Sequence, residues 1–338
     1  MIIPINLGEQ SYDIVLERGA LSKVAEHINL NRKVLIVTDT GVPGEYAQSV
    51  ASQCKTGSYV IATIPQGEAS KCFENYERLL GIMVENSFTR TDCVIAVGGG
   101  VVGDLSGFVA SSYMRGIDFY NIPTTLLSQL DSSIGGKVAI DFKGVKNIVG
   151  AFYQPKKVII DPDVLKTLDK RQFSAGLCEA IKMSANFDVE LFELIESTTD
   201  IDSDIDEIIE KSLKIKRDVV EKDPKEKNLR RVLNFGHTIG HAIESDNNLG
   251  ALLHGECVAL GMLPMSAPEV RERLVRVLEK YKLPTKISLD ADALMDFMAR
   301  DKKASGDEVT IVYCERLGSF EMKRIRLNEI KKYITEVF

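Results

Sequence analysis

Residues 92–103 read Asp-Cys-Val-Ile-Ala-Val-Gly-Gly-Gly-Val-Val-Gly, and this stretch decides the fold class. Its apolar part, 93–97, has the length and composition of a buried strand. Its glycines match the spacing G-x-G-x-x-G ahead of an apolar, helix-like segment, where backbone N–H groups can face a pyrophosphate. A glycine-rich turn also serves tight packing when nothing binds, so this motif alone leaves nucleotide binding open.

On both sides of this stretch, short β-rich runs alternate with amphipathic segments, which is typical of a parallel sheet covered by helices. The other predicted strands are 33–38, 58–64, 118–122 and 157–160, and a helix is predicted at 72–86. After residue 165 helices dominate, with predictions at 174–187, 189–197, 205–220, 229–244, 255–262 and 268–281. The charged stretches 200–207 and 221–228 indicate solvated connectors, and 308–314 with 319–325 indicate a hairpin.

We therefore predict two domains. Residues 1–165 should form an α/β dinucleotide-binding domain with a mostly parallel sheet, and residues 166–338 a mainly α-helical domain with a short late β-hairpin. The 338 residues are 44% hydrophobic and 27% charged, which excludes a disordered chain or a small disulfide scaffold. Six scattered cysteines without a CxxC pair indicate buried apolar side chains rather than disulfides.

The charge balance and the hydropathy pattern exclude two classes of partner. Lys and Arg number 42 against 49 Asp and Glu, so a formal charge of −7 argues against nucleic acid as a partner. No uncharged apolar run reaches the roughly 18 residues that span a bilayer, and the first residues lack a signal pattern. We expect a cytoplasmic protein with no membrane partner, whose anionic substrate would need a local cationic pocket.

One predicted helix, 229–244, carries a polar stripe. Its members fall at steps of four, three, four and three residues and are Arg230, Asn234, His237, His241 and Glu244. Because the other faces are apolar, the helix should be buried, and the stripe must be satisfied by a metal, a ligand, facing ion pairs or hydrogen bonds in the core.

The residues around this stripe narrow its chemistry. Gly236 and Gly240 lie one turn apart and would permit a second element to approach closely. With His254 included, three of the four histidines lie within residues 237–254. Zinc prefers imidazole ligands together with a carboxylate. Thr238 occupies the position where a zinc-protease helix requires Glu, so peptide hydrolysis is not expected.

Other charges also interrupt apolar faces or follow strands. Lys216 falls on the inward stripe of 205–220, where it either meets an anion or extends to solvent. Glu179 and Lys182 are embedded among apolar residues, or form an exposed ion pair. Asp39 follows a strand and would either bind a ribose or cap the turn. The stretches 131–137 and 143–147 read as polar loops with cations that suit phosphate.

Taken in order, these motifs resemble the 3-dehydroquinate synthase family of sugar-phosphate cyclases. The matching blocks are 65–68 with Lys71, 98–104, 113–116, 123–127, 131–137, 146–147, 167–168, 173–182, 234–241, 254–256 and 301–303, which cover nearly the whole chain. The resemblance implies NAD and a divalent metal, zinc or in its place cobalt, between an N-terminal dinucleotide domain and a C-terminal metal and substrate domain. It also implies a homodimer.

The resemblance assigns a role to each matching residue. The implied metal ligands are Glu179, His237 and His254, and His241 becomes an acid/base residue with Glu226 nearby. The implied NAD contacts are Asp39, Glu68, Lys71, Gly99, Gly100, Val101, Asp104, Thr124, Thr125, Asp131, Ser132, Lys146 and Thr167. The implied contacts to the phosphate and carboxylate of the substrate are Arg115, Lys137, Asn147, Lys182, Lys216, Arg230, Asn234 and one of Lys302 or Lys303.

The reaction implied is conversion of 3-deoxy-D-arabino-heptulosonate 7-phosphate to 3-dehydroquinate and phosphate, a step of the shikimate pathway towards chorismate and the aromatic amino acids. NAD would be recycled within each turnover. Three alternatives stay open: a sister cyclase acting on sedoheptulose 7-phosphate or glucose 6-phosphate, a polyol or glycerol phosphate dehydrogenase that releases NADH, and a noncatalytic binding protein.

Overall fold

The structure is a computed structural model, and it describes residues 1–55, 57–245, 252–288, 291–292, 294–295, 298 and 308–338. These residues form two compact units. The first comprises Met1–Asp169 and Lys216–Pro224, and the second comprises Lys170–Ile215 and Lys225–Phe338. The domain boundary after residue 165 stays a prediction, and nothing in the sequence pattern indicated that Lys216–Pro224 groups with the first unit.

Among the described residues of the first unit, a seven-stranded sheet forms the centre. Its strands are β1 (Ile2–Ile5), β2 (Tyr12–Leu16), β3 (Val34–Asp39), β4 (Tyr59–Ile64), β5 (Cys93–Gly98), β6 (Asp118–Pro123) and β9 (Lys157–Ile160). Their order is β1-β2-β9-β6-β5-β3-β4, and every neighbouring pair is parallel except β1 with β2. The mostly parallel α/β fold predicted from the sequence is confirmed, although β1 and β2 were not predicted.

Apolar helices cover both faces of this sheet, which is why its central strands read as continuous apolar runs. The helices are α1 (Val24–His27), α2 (Gly44–Ser52), α3 (Phe73–Glu85) and α4 (Gly100–Ser112). Alternate residues of β3 and β5 enter two separate cores. Val34 and Ile95 pack with α1 and α2, whereas Leu35 and Val94 pack with α3 and α4.

A separate hairpin corrects the loop predictions at Lys137 and at 145–147. Lys137 begins β7 (Lys137–Phe142), and residues 145–147 begin β8 (Val145–Phe152), which pairs with it antiparallel. Lys143 and Gly144, both with positive φ, form the turn. Most of β8 is exposed, so the strand lacks the buried apolar alternation by which a strand is recognised in sequence.

Helices predominate in the second unit, and most were predicted. They are α5 (Lys170–Phe187), α6 (Val189–Ser197), the first part of α7 (Ile201–Lys222), α8 (His237–Ser245), α9 (His254–Met262), α10 (Pro268–Lys280) and α11 (Leu327–Thr335). The predicted hairpin is present as β10 (Glu308–Tyr313) and β11 (Glu321–Arg326). The predicted connector at 200–207 is wrong, because α7 begins at Ile201. Asp202 and Asp204 stabilise that helix start through its dipole.

The continuous helix predicted over 229–244 is also wrong. Residues Leu229–Asn234 form a 3-10 turn, Phe235 is extended, and α8 begins only at His237. Gly236 between them has φ +76°, and a Cβ there would lie 2.7 Å from Met262 Cγ on α9. At Gly240 a Cβ would lie 2.9 Å from the Cys257 carbonyl oxygen. The predicted close approach at both glycines is therefore confirmed, and it is an approach of α9.

The structure describes all the cysteines and most of the helical segments of the chain. All six cysteines lie in the described ranges and are free thiols, four of them buried. Among the described residues, no helix is long and apolar enough to cross a bilayer.

Candidate active site

Three imidazoles meet in the second unit because α8 and α9 pack closely. His237 and His241 lie one turn apart on α8, and His254 is the first residue of α9. The ring centroids are 5.1 Å apart for His237 and His241, 5.2 Å for His237 and His254, and 5.6 Å for His241 and His254. One nitrogen of each ring lies within 4.8 Å of the others, a spacing at which a metal ion can be held.

A buried carboxylate from α5 joins this cluster. Glu179 is 1% exposed, and its Oε1 lies 3.8 Å from Nε2 of His254. That oxygen has no hydrogen-bond partner among the described residues, whereas the other carboxylate oxygen accepts from Lys182 Nζ. A buried carboxylate oxygen without a donor costs free energy unless a cation completes it. The nitrogen and oxygen donors of Glu179, His237 and His254 thus fit a divalent metal, and their assignment as its ligands stays a prediction.

Hydrogen bonds orient two of the rings. Nδ1 of His237 lies 3.1 Å from the Phe235 carbonyl oxygen, and Nδ1 of His254 lies 3.2 Å from Glu244 Oε2. Each contact leaves Nε2 as the ligand atom. Burial, reinforced by the charge of Lys182, holds the pKa of His237 well below its usual range, so this ring is neutral, as a ligand must be.

The electrostatics at His254 run in the opposite direction. Burial by itself lowers the pKa of His254, but the hydrogen bond to Glu244 and the charges of Glu179 and Glu244 together raise it.

Two of the predicted substrate residues in the second unit, Lys182 and Arg230, are buried. Lys182 and Arg230 are 2% and 3% exposed, so the exposed ion pair considered for Glu179 and Lys182 is wrong, although the pair itself forms. Asn234 Nδ2 donates to Glu226 Oε1 at 3.1 Å. The proximity of Glu226 to His241 stays a prediction. Lys302 and Lys303 lie outside the described residues.

The glycine-rich turn of the first unit has the geometry that its sequence predicts. β5 ends at Gly98 and α4 begins at Gly100, with Gly99 at the N-cap position, where it offers no side chain to cap the helix. A Cβ on Gly100 would lie 3.1 Å from Ser132 Oγ, and one on Gly99 would lie 3.0 Å from Thr125 Cγ2. Ser132 Oγ is buried and has no hydrogen-bond partner in the described ranges.

These residues lie where the strand order of the sheet reverses. The chain passes from β3 outward to β4, and then returns to the other side of β3 for β5 and β6. The carboxyl ends of β3 and β5 flank such a crossover, which is where open α/β sheets bind nucleotides. Val101 lies in the first turn of α4, and Thr124 donates its N–H to the Gly98 carbonyl at 3.0 Å. The residues at the turn between β5 and α4 therefore have the geometry that suits a dinucleotide phosphate.

Asp39 ends β3 at this crossover. Its Oδ1 accepts from the N–H groups of Gly41 at 2.8 Å and Val42 at 3.2 Å. The turn role considered for Asp39 is therefore confirmed, and contact with a ribose stays a prediction.

Three carboxylates surround Lys71, which is buried with 3% exposure. Its Nζ lies 2.8 Å from Glu68, 3.2 Å from Asp104 and 3.9 Å from Asp141, measured to the nearest carboxylate oxygen. Burial raises the pKa of Asp104 to about 6, although Lys71 opposes that rise. Three of these residues were predicted NAD contacts. Asp141 was missed, because no element was predicted for residues 138–142, where most of β7 lies.

Lys216 also meets a carboxylate. It is 3% exposed, and its Nζ donates to the backbone oxygen of Asp131 and, at 2.5 Å, to Asp131 Oδ1. The alternative in which Lys216 extends to solvent is wrong. Asp131 lies in a π-helical turn, Ser128–Ser132, a distortion that is frequent at functional sites.

The remaining predicted residues of the first unit lie at its surface. Arg115 is exposed with φ +70°, and Lys137 and Lys146 are exposed on the β7–β8 hairpin. Asn147, with φ +55°, donates its N–H to Asp141 Oδ1 at 2.8 Å. Thr167 Oγ1 lies 2.8 Å from Tyr46 OH. Their roles in binding stay predictions.

Family profiles and a curated relative match this chain under the same family name. Profiles described as 3-dehydroquinate synthase N-terminal and C-terminal match residues 61–175 and 176–304. A relative named 3-dehydroquinate synthase from Streptococcus agalactiae is 39% identical, with 99% of each chain covered.

Solved structures show the same fold. A 2-deoxy-scyllo-inosose synthase is 24% identical with a TM-score of 0.90, and 100% of each chain is covered. A 2-epi-5-epi-valiolone synthase from Streptomyces hygroscopicus, with NAD+ and Zn2+ bound, is 26% identical with a TM-score of 0.86, and 98% of each chain is covered.

Proposed function

This chain belongs to the 3-dehydroquinate synthase family, and we propose that it converts 3-deoxy-D-arabino-heptulosonate 7-phosphate to 3-dehydroquinate and inorganic phosphate. The reaction is a carbon–oxygen lyase step followed by ring closure, with no net redox change. The observation that carries the proposal is the buried Glu179 oxygen beside three imidazoles, because a lone carboxylate oxygen in that setting calls for a divalent cation.

We assign the metal to Glu179, His237 and His254, with zinc or cobalt as the ion. When bound, such an ion lowers the pKa of a coordinated alcohol and polarises a carbonyl. The hydrogen bonds to Nδ1 of both histidines hold their rings in the tautomer that presents Nε2. Metal dependence is supported by the 2-epi-5-epi-valiolone synthase that contains Zn2+.

We assign NAD to the crossover of the first unit. When bound there, NAD would supply a reversible hydride acceptor for the substrate alcohol. Gly99, Gly100 and Val101 offer backbone N–H groups at the positive end of α4, which suit a pyrophosphate. Ser132 Oγ, buried beside Gly100, is a hydrogen-bond donor for the same group.

Cationic side chains explain how a protein of net charge −7 would bind a doubly anionic sugar acid phosphate. Lys182 and Arg230 are buried, so their charges act in a medium that screens them little. Holding the substrate rigidly replaces several separate encounters with one ordered sequence of steps. Arg115, Lys137, Asn147, Lys216 and Asn234 complete the proposed set.

His241 is the proposed acid/base residue. It lies one turn from His237 on α8, and its ring centroid is 5.1 Å from that of His237. An imidazole at this distance from the metal ligands can take the proton of the substrate alcohol as the hydride leaves, and return it when the hydride is restored.

The proposal is tested by phosphate release from zinc-reconstituted protein with catalytic NAD. We expect release from 3-deoxy-D-arabino-heptulosonate 7-phosphate, dependent on both cofactors and without accumulation of NADH. Release from sedoheptulose 7-phosphate alone would make the protein a sister cyclase, and net NADH would make it a polyol phosphate dehydrogenase. The full-length relative at 39% identity favours the first outcome. A homodimeric, cytoplasmic enzyme without nucleic-acid partners is also expected.

A further inference from the structure

Glu244 is the one member of the polar stripe to which the resemblance gives no role. The sequence places it three residues after His241, in the last turn of α8. Its side chain is 19% exposed, so it is largely shielded from water. A mostly buried carboxylate on the face that carries two histidines needs a physical explanation.

The structure places Glu244 behind the ring of His254. Glu244 Oε2 lies 3.2 Å from Nδ1 of that ring, and on the opposite side Nε2 faces Glu179 Oε1 at 3.8 Å. The ring therefore stands between two carboxylates that belong to different helices. Only one of its nitrogens can carry the proton while the other binds a metal.

We propose that Glu244 is a positioning residue for the metal centre. Its carboxylate accepts a hydrogen bond from Nδ1–H of His254, which fixes the tautomer, orients Nε2 towards Glu179 and increases the basicity of the ligand nitrogen. This inference rests on the proposed metal site. It adds a residue that acts through His254 and touches neither the metal nor the substrate.

The two proposed ligand histidines differ in the group that each Nδ1 contacts. Nδ1 of His237 contacts a neutral backbone carbonyl, that of Phe235, whereas Nδ1 of His254 contacts a charged side chain. A charged acceptor makes a stronger hydrogen bond than a neutral one. Because the acceptor at His254 is a side chain and not a backbone carbonyl, a substitution can remove this hydrogen bond.

The backbone of His254 has a separate anchor, which makes the substitution interpretable. Arg171 holds Glu256 through two hydrogen bonds of 2.6 and 2.7 Å, and Glu256 Oε2 accepts from the Leu253 N–H at 2.8 Å. These contacts fix the start of α9 on α5. Removal of the Glu244 carboxylate should thus loosen the ring without displacing the helix.

The test compares Glu244→Ala and Glu244→Gln with the unsubstituted protein and with Glu190→Ala, a control on α6 whose side chain is 88% exposed. Metal affinity is measured by competition with a chromophoric chelator, and ligand geometry by the visible spectrum of the cobalt-loaded protein. We expect Glu244→Ala to weaken affinity about 10–100-fold and to alter the cobalt spectrum. Glu244→Gln retains an acceptor oxygen but no charge, so its metal affinity should lie between those of Glu244→Ala and the unsubstituted protein. The metal affinity of the Glu190→Ala control should equal that of the unsubstituted protein.

The outcomes separate this inference from the proposed function. If Glu244→Ala binds metal as tightly as the unsubstituted protein, the positioning role is wrong. If Glu244→Ala does not fold, Glu244→Gln decides, and an affinity equal to that of the unsubstituted protein overturns the inference. If the unsubstituted protein binds no metal, or if His254→Ala retains it, the proposed metal site itself fails.

Discussion

Lys71 and Lys182 are buried lysines from different units, and they stand in different electrostatic surroundings. Lys71 in the first unit lies within 4 Å of three carboxylates, so acidic groups outnumber cations there. Lys182 in the second unit pairs with Glu179 beside a cluster of imidazoles. Burial raises the pKa of Asp104 in the first cluster, and burial with the charge of Lys182 lowers the pKa of His237 in the second.

The difference shows how one residue type serves two purposes. In the first unit, burial favours a proton on Asp104, and the charges of Glu68 and Asp141 add to that effect while Lys71 opposes it. In the second, the lowered pKa of His237 keeps a ring nitrogen available for a cation. Glu68 and Asp104 in the first cluster thus pair with Lys71, whereas Glu179 Oε1 in the second has no hydrogen-bond partner among the described residues.

Removal of a proposed ligand histidine should have the largest effect on the second cluster. We expect His237→Ala to lose the metal, and His241→Ala to retain metal and NAD but to lose about 10²–10⁴-fold in turnover. Metal content after dialysis and phosphate release measure the two effects. Retention of metal by His237→Ala would contradict the ligand assignment.

Removal of Lys71 should break the first cluster. Lys71→Met leaves Glu68, Asp104 and Asp141 to repel one another, and we expect a loss of about 3 kcal/mol in the free energy of unfolding. Urea denaturation measures the loss. The control is Lys166→Met, because Lys166 is 71% exposed and pairs with Asp163 at the surface, where an ion pair contributes little. Equal losses in both variants would show that the Lys71 cluster is no more than a surface network.

Separation of α8 from α9 should disturb the second cluster alone. A Cβ at Gly240 would lie 2.9 Å from the Cys257 carbonyl oxygen, so Gly240→Ala should cost about 1–3 kcal/mol and weaken metal binding.

The matched control for this substitution is Gly81→Ala in α3, where a Cβ would meet nothing within 4 Å. Alanine should there stabilise the helix by about 0.5–1 kcal/mol. Denaturation and chelator competition report both effects. If Gly240→Ala were as stable as the unsubstituted protein, the close packing of the two helices would not limit the site.

The smallest expected effect is a pH dependence of the free energy of unfolding, which Asp104 should cause in the first cluster. The pKa of Asp104 is about 6 in the folded chain and about 3.9 in an unfolded one. Between these values the folded state binds more protons, so the contribution of Asp104 to stability falls as pH rises from 4 to 6, by about 1–2 kcal/mol. The difference in unfolding free energy between the unsubstituted protein and Asp104→Asn should follow that course. A difference independent of pH would contradict the raised pKa.

The secondary structure was predictable where a segment is buried on a regular face. β3 and β5 are apolar on both sides because both faces of the sheet are covered, and α6 was predicted over Val189–Ser197, as found. β8 was missed because it is largely exposed, and a strand without a buried face has no apolar period. The break at Gly236 was missed because the polar stripe continues across it at helical spacing.

The sequence by itself determined the fold class, the strand-to-helix turn at Gly98–Gly100 and the residue types of the candidate metal site, because periodicity, glycine spacing and the chemistry of histidine are local properties. Only the tertiary structure decided the distances at which His254 meets His237 and Glu179 Oε1, and it alone showed that Asp141 lies near Lys71. These contacts depend on how closely helices and hairpins pack. These distances depend on side chains that are far apart in the sequence, and no local sequence pattern records such contacts.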